Sequence, residues 1–388
     1  MNAERTHDVG HLSVERQGAE EAFESLRTDW NRILEQSGRP SIFLCWEWLY
    51  AWWAHFGRGH TLNLLVVRDA TGSVVGVGPF CIERVGTFWS VRILRFLGTR
   101  RVSSEYLDVL AAPGREREVA DAMFRFLRED TGSWDAAELS DLLDGSVALR
   151  FLEGLARADR CAVGLAPGEV CPYLPLAGTL EHSSPFKQST RRRLKYLNRA
   201  LERLGCSYRT VETREELGPA LEALFDLHER RWVARGQTGN FRDPAVRRFH
   251  HMLADLLGPQ GKMRVYMMER EAKAIACIYV LQLGKTVYFY QSGFDPDPTL
   301  KSFSPGYTLL GHCIEDSVIR GAQEFDFLRG REDYKARWTT QVRESRKLTI
   351  VPSGHTAALA RFRAGGAVRW AKRRAKALLS LGNILCAG

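Results

Sequence analysis

Two hydrophobic periods alternate along the chain, one of three to four residues and one of two, and they predict alternating helices and strands. Residues 21–36 put Phe23, Leu26, Trp30, Ile33 and Leu34 on one helical face. Residues 42–56 hold Phe43, Trp46, Trp48, Tyr50, Trp52, Trp53 and Phe56. So dense an aromatic run packs a helix against a sheet, with a binding wall as the alternative. Apolar runs at 62–68 and 74–83 flank the turn Asp69-Ala70-Thr71-Gly72 and predict a strand pair. Further strands are predicted at 91–97, 106–110, 136–139 and near 161–165, and helices at 115–129 and 146–158. Pro167, Gly168, Pro172 and Pro175 then punctuate the crossing into the second half.

That half opens with a basic helix over 186–204, whose apolar side is Leu194, Leu197, Leu201 and Leu204. A second helix spans 215–235. A three-strand meander follows at 264–269, 274–283 and 286–292. Next come a helix opening at Ser304-Pro305-Gly306, a strand over 324–328, a short helix near Asp333 and a strand over 347–351. The order meander, helix, strand thus occurs twice, at 62–140 and 264–328, as a repeat of pattern rather than of residues. The fold class read from this is α/β (α+β), with mixed sheets flanked by helices. The expected divisions are a disordered leader at 1–20, units at 21–175 and 176–355, and a basic tail at 356–388.

Composition adds little to the body of the protein. A hydrophobic content of 45% with 26% charged residues is ordinary for a globular chain, and 388 residues suit two domains. The eight cysteines form no C-x-x-C pair, so neither a zinc site nor a disulfide framework is signalled, and no metal is expected. The amino-terminal stretch has no apolar core of a signal peptide, and no apolar run is long enough to span a bilayer. The expected location is cytoplasmic.

The net charge of +9 is unevenly spread. Arg361, Arg363, Arg369, Lys372, Arg373, Arg374 and Lys376, with no acid among them, leave +2 on the other 360 residues. A nearly neutral body argues against a nucleic-acid-binding core. As a helix, residues 361–379 would be basic and amphipathic, fit for peripheral contact with an anionic membrane at its inner face. A docked terminal helix or a solvated tail is the alternative.

Candidate chemistry gathers between Tyr288 and Trp338. Ser304 can cap the helix with its hydroxyl, Pro305 suits the first helical position, and Gly306 lets a ligand approach the backbone. With Lys301 close by, this helix start is a candidate seat for a phosphate or thioester donor. His228 shares a helix face with Leu221, Leu224, Phe225 and Trp232, as either a core residue or a neutral base. Asp326 alternates with Phe325 and Phe327 and points to the opposite side of its strand, with Arg329 at the strand end. Ion pairs and a packed Tyr334 are the structural alternatives there. Arg191, Arg192, Arg193 and Lys195 form either a solvated helix face or a clamp for an anionic acceptor.

Five segments carry a family resemblance: Leu227-His228-x-x-Arg231-Trp232, Gly293-x-Asp295, Ser304-Pro305-Gly306, Asp326-Phe327-Leu328-Arg329-Gly330 and Tyr334-Lys335-x-x-Trp338. Over about 183–350 the chain resembles the GCN5-related N-acetyltransferases (GNAT), in the CelD/BcsL-like branch linked to cellulose or exopolysaccharide biosynthesis. Its layout of two GNAT-like units is also similar to the Fem family of aminoacyl-tRNA-dependent transferases. The resemblance implies two tandem GNAT-like acyltransferase units, the first degenerate. It implies acyl-coenzyme A as co-substrate and an amine or hydroxyl acceptor on a sugar or cell-envelope precursor. It makes His228, Asp326, Tyr334 and Lys335 the candidate catalytic residues, Tyr334 as proton donor to the leaving thiolate. Gln291, Lys301, Ser304, Pro305, Gly306 and Tyr307 would hold the donor, and Arg231, Trp232, Asp295 and Arg329 the acceptor. The glycine-rich phosphate loop common in the family is reduced here to the single Gly306. Two further readings stay open: a Fem-like transferase with tRNA as partner, and a non-catalytic component of a polysaccharide-synthesis complex.

Overall fold

The computed structural model describes residues 6–9, 11–86, 90–130, 132–176, 185–234 and 236–364. In chain order its first half comprises β1 (Thr6–Val9), β2 (Leu12–Gln17), α1 (Glu21–Gln36), α2 (Trp46–Phe56), β3 (His60–Asp69), β4 (Val74–Val85), β5 (Val91–Phe96), β6 (Leu110–Ala111), α3 (Glu116–Glu129), β7 (Ala136–Leu143), α4 (Glu153–Ala158) and β8 (Ala162–Pro175). The second half comprises α5 (Gln188–Arg203), β9 (Cys206–Val211), α6 (Arg214–Val233), α7 (Pro244–Leu257), β10 (Met263–Arg270), β11 (Lys273–Leu283), β12 (Thr286–Phe294), α8 (Pro305–Ile319), β13 (Glu324–Asp326) and β14 (Val342–Val351).

The halves repeat one plan. A strand and two helices lead into an antiparallel meander, then a helix and a parallel strand: β2 to β7, and β9 to β13. The last strand of each half is exchanged. β14 pairs with β7 of the first unit, β8 pairs with β13 of the second, and β8 and β14 run antiparallel to each other over Ala162–Pro172. The hydrogen-bonded order is therefore β1-β2-β3-β4-β5-β7-β14-β8-β13-β12-β11-β10-β9, one mixed sheet flanked by helices.

Three expectations are corrected. Residues 12–17 of the expected leader are a strand on β3, with Leu12 and Val14 buried, because their alternation lays an apolar face on the sheet. The strand expected at 106–110 shrinks to a two-residue bridge on β4. A division at 175/176 holds in sequence and not in space, since β8 spans both units. The tail lies mostly outside the described residues; 356–364 is helical, with Phe362 against Gly164 on β8.

The aromatic run at 42–56 is core, and the core is shared by the two halves. Trp48 meets Phe249 of α7 edge to face at 5.0 Å and Tyr290 of β12 at 5.4 Å, and Phe43 meets Tyr288 at 5.6 Å. Tyr290 is the extra residue of a bulge where β12 slips its register against β11 between Val280 and Tyr279. A bulge sharpens strand twist. The parallel ladder of β12 with β13 ends at Tyr288 and Asp326, while β12 runs on to Phe294. The two strands part there.

Candidate active site

The opening of α8 lies beside this parting. Gly306 sits close under the ring of Phe294, where an added Cβ would come within 3.0 Å of it. The Arg231 guanidinium, from the end of α6, stands 4.0 Å from the centre of the same ring. Tyr307 stacks on Trp338 with centroids 4.7 Å apart, Phe186 closes on Trp338 at 5.2 Å, and the Arg193 guanidinium covers Tyr307 at 5.2 Å. Tyr334 packs into the same apolar cluster. Its phenol is pushed well above the usual value by burial and by the Glu332 carboxylate, so it stays protonated, although Arg231 opposes the shift. Arg231, Gly306, Tyr307 and Tyr334, four of the expected site residues, thus lie around one aromatic cluster. Phe294 and the contact through Arg193 were not foreseen; Phe294 lies two residues beyond the strand predicted at 286–292.

The helix start differs from expectation in detail. Ser304 is left-handed (φ 47°, ψ 56°) and makes no side-chain cap; its hydroxyl donates to the Lys301 carbonyl at 3.5 Å. In that conformation its own carbonyl accepts from the Tyr307 and Thr308 amides at 3.0 and 3.1 Å. No acceptor among the described residues takes the Gly306 N–H. Pro305 is buried, Lys301 is exposed, and Gln291 is half-buried on β12. One amide, rather than a row of them, is available to an anion, and a Cβ at Gly306 would crowd it.

Six candidates are committed elsewhere. His228 is buried against Phe241, and its Nε2 accepts the Trp232 indole N–H at 2.8 Å. Desolvation, helped by Arg231, lowers its pKa to about 4. The ring is therefore neutral with its lone pair engaged, which corrects the base role for His228 and the acceptor role for Trp232. Asp326 is fully buried and accepts from the Tyr106 hydroxyl at 2.8 Å and the Leu328 amide at 2.7 Å. Burial raises its carboxyl to about 6 against the opposing pull of Arg343. Arg329 reaches across to Glu105, to Asp141 at 3.1 Å and to the Ser104 carbonyl at 2.8 Å. Lys335 is buried with its amine on the Leu328 and Arg329 carbonyls and on Glu332. Asp326 and Arg329 thus form a polar seam that ties the second unit to the first, while Lys335 fastens the loop after β13 within the second unit. Neither Glu105 nor Tyr106 carried a sequence signal, because their partners lie more than two hundred residues away. Asp295 holds the Arg230 guanidinium at 3.2 Å and the Asp297 amide, as a turn does.

Among the described residues no cluster of three or more His, Cys, Asp or Glu could hold a metal, and no helix is long and apolar enough to cross a membrane. A polar cavity of about 780 Å³ opens elsewhere, at the far edge of the first unit around Arg16, Asn63 and Arg84.

Residues 188–336 match the Acetyltransferase (GNAT) domain, so the second unit is an N-acyltransferase domain. No curated protein matches the chain in sequence. Several solved structures share the two-unit fold. FemX superposes with a TM-score of 0.58 at 11% identity, over 83% of this chain and 95% of its own. A conserved protein of unknown function from Bacteroides thetaiotaomicron gives 0.56 at 11%, over 90% and 100%. The C-terminal domain of a putative lysylphosphatidylglycerol synthetase from Agrobacterium fabrum gives 0.52 at 13%, over 89% and 97%. At such identities the likeness is one of fold.

Proposed function

We propose that this protein moves an acyl group from a thioester donor, acyl-coenzyme A, to an amine or hydroxyl of a sugar or cell-envelope precursor, and that the donor lies at the opening of α8. The observation that carries this reading is the parting of β12 from β13 beside Gly306, inside the segment that matches the acetyltransferase domain. A separated strand pair exposes backbone groups that an extended thioester arm can bond, and the Gly306 amide with Lys301 suits its phosphates. The acceptor attacks the thioester carbonyl directly, its nitrogen or oxygen forming the new bond as the thiolate leaves. In this reading Tyr334, held protonated by burial, gives that thiolate a proton and is reprotonated by the proton the acceptor loses. With Nε2 of His228 engaged, no base role is given to it.

A Fem-like transfer from aminoacyl-tRNA is the second reading. It is favoured by the shared two-unit fold with FemX and by the reduction of the phosphate loop to one glycine. A thermal-shift panel separates the two. Stabilisation by acetyl- or longer acyl-coenzyme A at micromolar concentration is expected. Gly306→Val should weaken that binding by tenfold or more while the melting temperature without ligand changes little, since the new side chain crowds Phe294 and the amide. No response to any acyl-coenzyme A, or an unchanged affinity in the variant, would remove this placement of the donor.

A further inference from the structure

The arginines of this protein are mostly paired; on α5 they are not. Arg191, Arg192, Arg193, Lys195, Arg199 and Arg203 are all exposed, and none makes an ion pair among the described residues. The helix has a single acid, Glu202. Like charges spaced so closely repel one another and destabilise the helix slightly, and of the six only Arg193 is seen to pack, over Tyr307.

The row is also held rigidly. Leu194, Leu197 and Leu201 are buried beneath it, and Leu194 fits against Gly311 of α8, where an added Cβ would come within 2.7 Å. Tyr208 of β9 donates to the Asn198 side chain at 2.7 Å from below. Arg192, Tyr196, Arg199 and Arg203 follow at i, i+4, i+7 and i+11, so they share one outward face over about 16 Å. Tyr196 stands 73% exposed in the middle of it.

We infer that this face of α5 docks the protein on an anionic lipid surface. The partner must be a polyanion. The row lies on the exposed face of a helix, with one aromatic residue, Tyr196, upon it. Single-stranded nucleic acids are held instead in grooves by successive stacked aromatics. A row of long, flexible basic side chains with one tyrosine fits a flat, diffusely charged bilayer, whose headgroup level favours tyrosine. Because Arg193 of the same helix covers Tyr307, the opening of α8 then lies close to the headgroups. For the transferase proposed above this points to acceptors carried on membrane lipid; the docking itself is independent of that reading.

The test is co-sedimentation of the full-length protein with vesicles, without donor or acceptor. Binding is expected to vesicles of phosphatidylcholine containing phosphatidylglycerol, to fall steeply between 50 and 500 mM salt, roughly as screening shortens, and to be absent on phosphatidylcholine alone. Arg192→Glu with Arg199→Glu should lower the partition coefficient by roughly 10²-fold, since four units of charge change near the surface. Both positions are exposed, so circular dichroism should match the parent, and Lys195→Glu with Arg203→Glu provides a second pair with the same expected loss. Equal binding to neutral vesicles would overturn the inference. So would parental binding by both charge-reversed proteins, which would assign any membrane contact to another segment. Binding to RNA without binding to anionic vesicles would overturn it in favour of a nucleic-acid partner.

Discussion

His228 shows how one hydrogen bond changes the reading of a residue. On a helical wheel it is a neutral histidine on an apolar face, which fits both a core residue and a base. In the fold its acceptor nitrogen is occupied by Trp232, one helical turn away. His228→Gln should therefore reduce turnover by less than tenfold; a loss of 10²- to 10⁴-fold, the scale of general base catalysis, would restore the catalytic role. The same residue should be visible in the pH dependence of stability. Its folded pKa of about 4 lies below the ordinary 6.5, so between these values the unfolded chain binds more protons. Its contribution is fully present above about pH 6.5 and is lost as pH falls through 4, with an upper bound of about 3 kcal/mol. Urea titrations from pH 7 to 4 should show a flatter acid limb for His228→Gln than for the parent, and identical slopes would count against this assignment.

At the scale of elements, β12 and α6 set the geometry of the site. Gly293 lets the strand lie directly on the helix: a Cβ there would sit 2.8 Å from the His228 amide nitrogen and the Leu224 carbonyl oxygen. These are backbone atoms and cannot swing aside. Gly293→Ala should then cost about 1–3 kcal/mol by overpacking. It should also shift α6, and Arg231 with it, away from Phe294, weakening the donor site together with the fold. Chemical denaturation and donor titration of one variant would test both; unchanged stability would mean that the strand can retreat from the helix. The helix starts are a contrast. Ser304-Pro305-Gly306 reads as a capped start, and it is a start. The left-handed turn at Ser304 sends the hydroxyl back to Lys301 instead of on to the helix amides. Propensity placed the boundary, while a backbone conformation set by the preceding loop decided which amide is left for a ligand.

The whole molecule is held by exchanged strands, a common aromatic core and a buried polar seam. Each unit lacks a strand that the other supplies. Fragments cut at the sequence boundary, 1–176 and 177–364, should each expose an unpaired sheet edge and the aromatic surface of α2 or α7. Neither should melt cooperatively alone, whereas the full chain should unfold in one transition seen alike by far-ultraviolet dichroism and tryptophan fluorescence. A fragment with a sharp independent melt would show that the exchange adds contacts without being required.

The sequence by itself determined many of the elements and the repeated order of meander, helix and strand, but not β2, β9 or α7. The helices at 21–36, 116–129, 188–203 and 305–319 and the meanders at 60–96 and 263–294 are all legible from local periodicity, because an amphipathic element must show its buried face every second or every third to fourth residue. It also determined that the opening of α8 is unusual, since Pro and Gly constrain the backbone locally. Other features were decided only in three dimensions. The pairing of β8 with β13 and β14, the insertion of Tyr290 between the units and the bonding of Asp326 to Tyr106 all join residues far apart in the chain. A buried carboxylate in such a seam and a catalytic one at a cleft have the same local sequence. Their difference is the partner that desolvates and bonds them, and that partner is supplied by long-range packing, on which local periodicity carries no information.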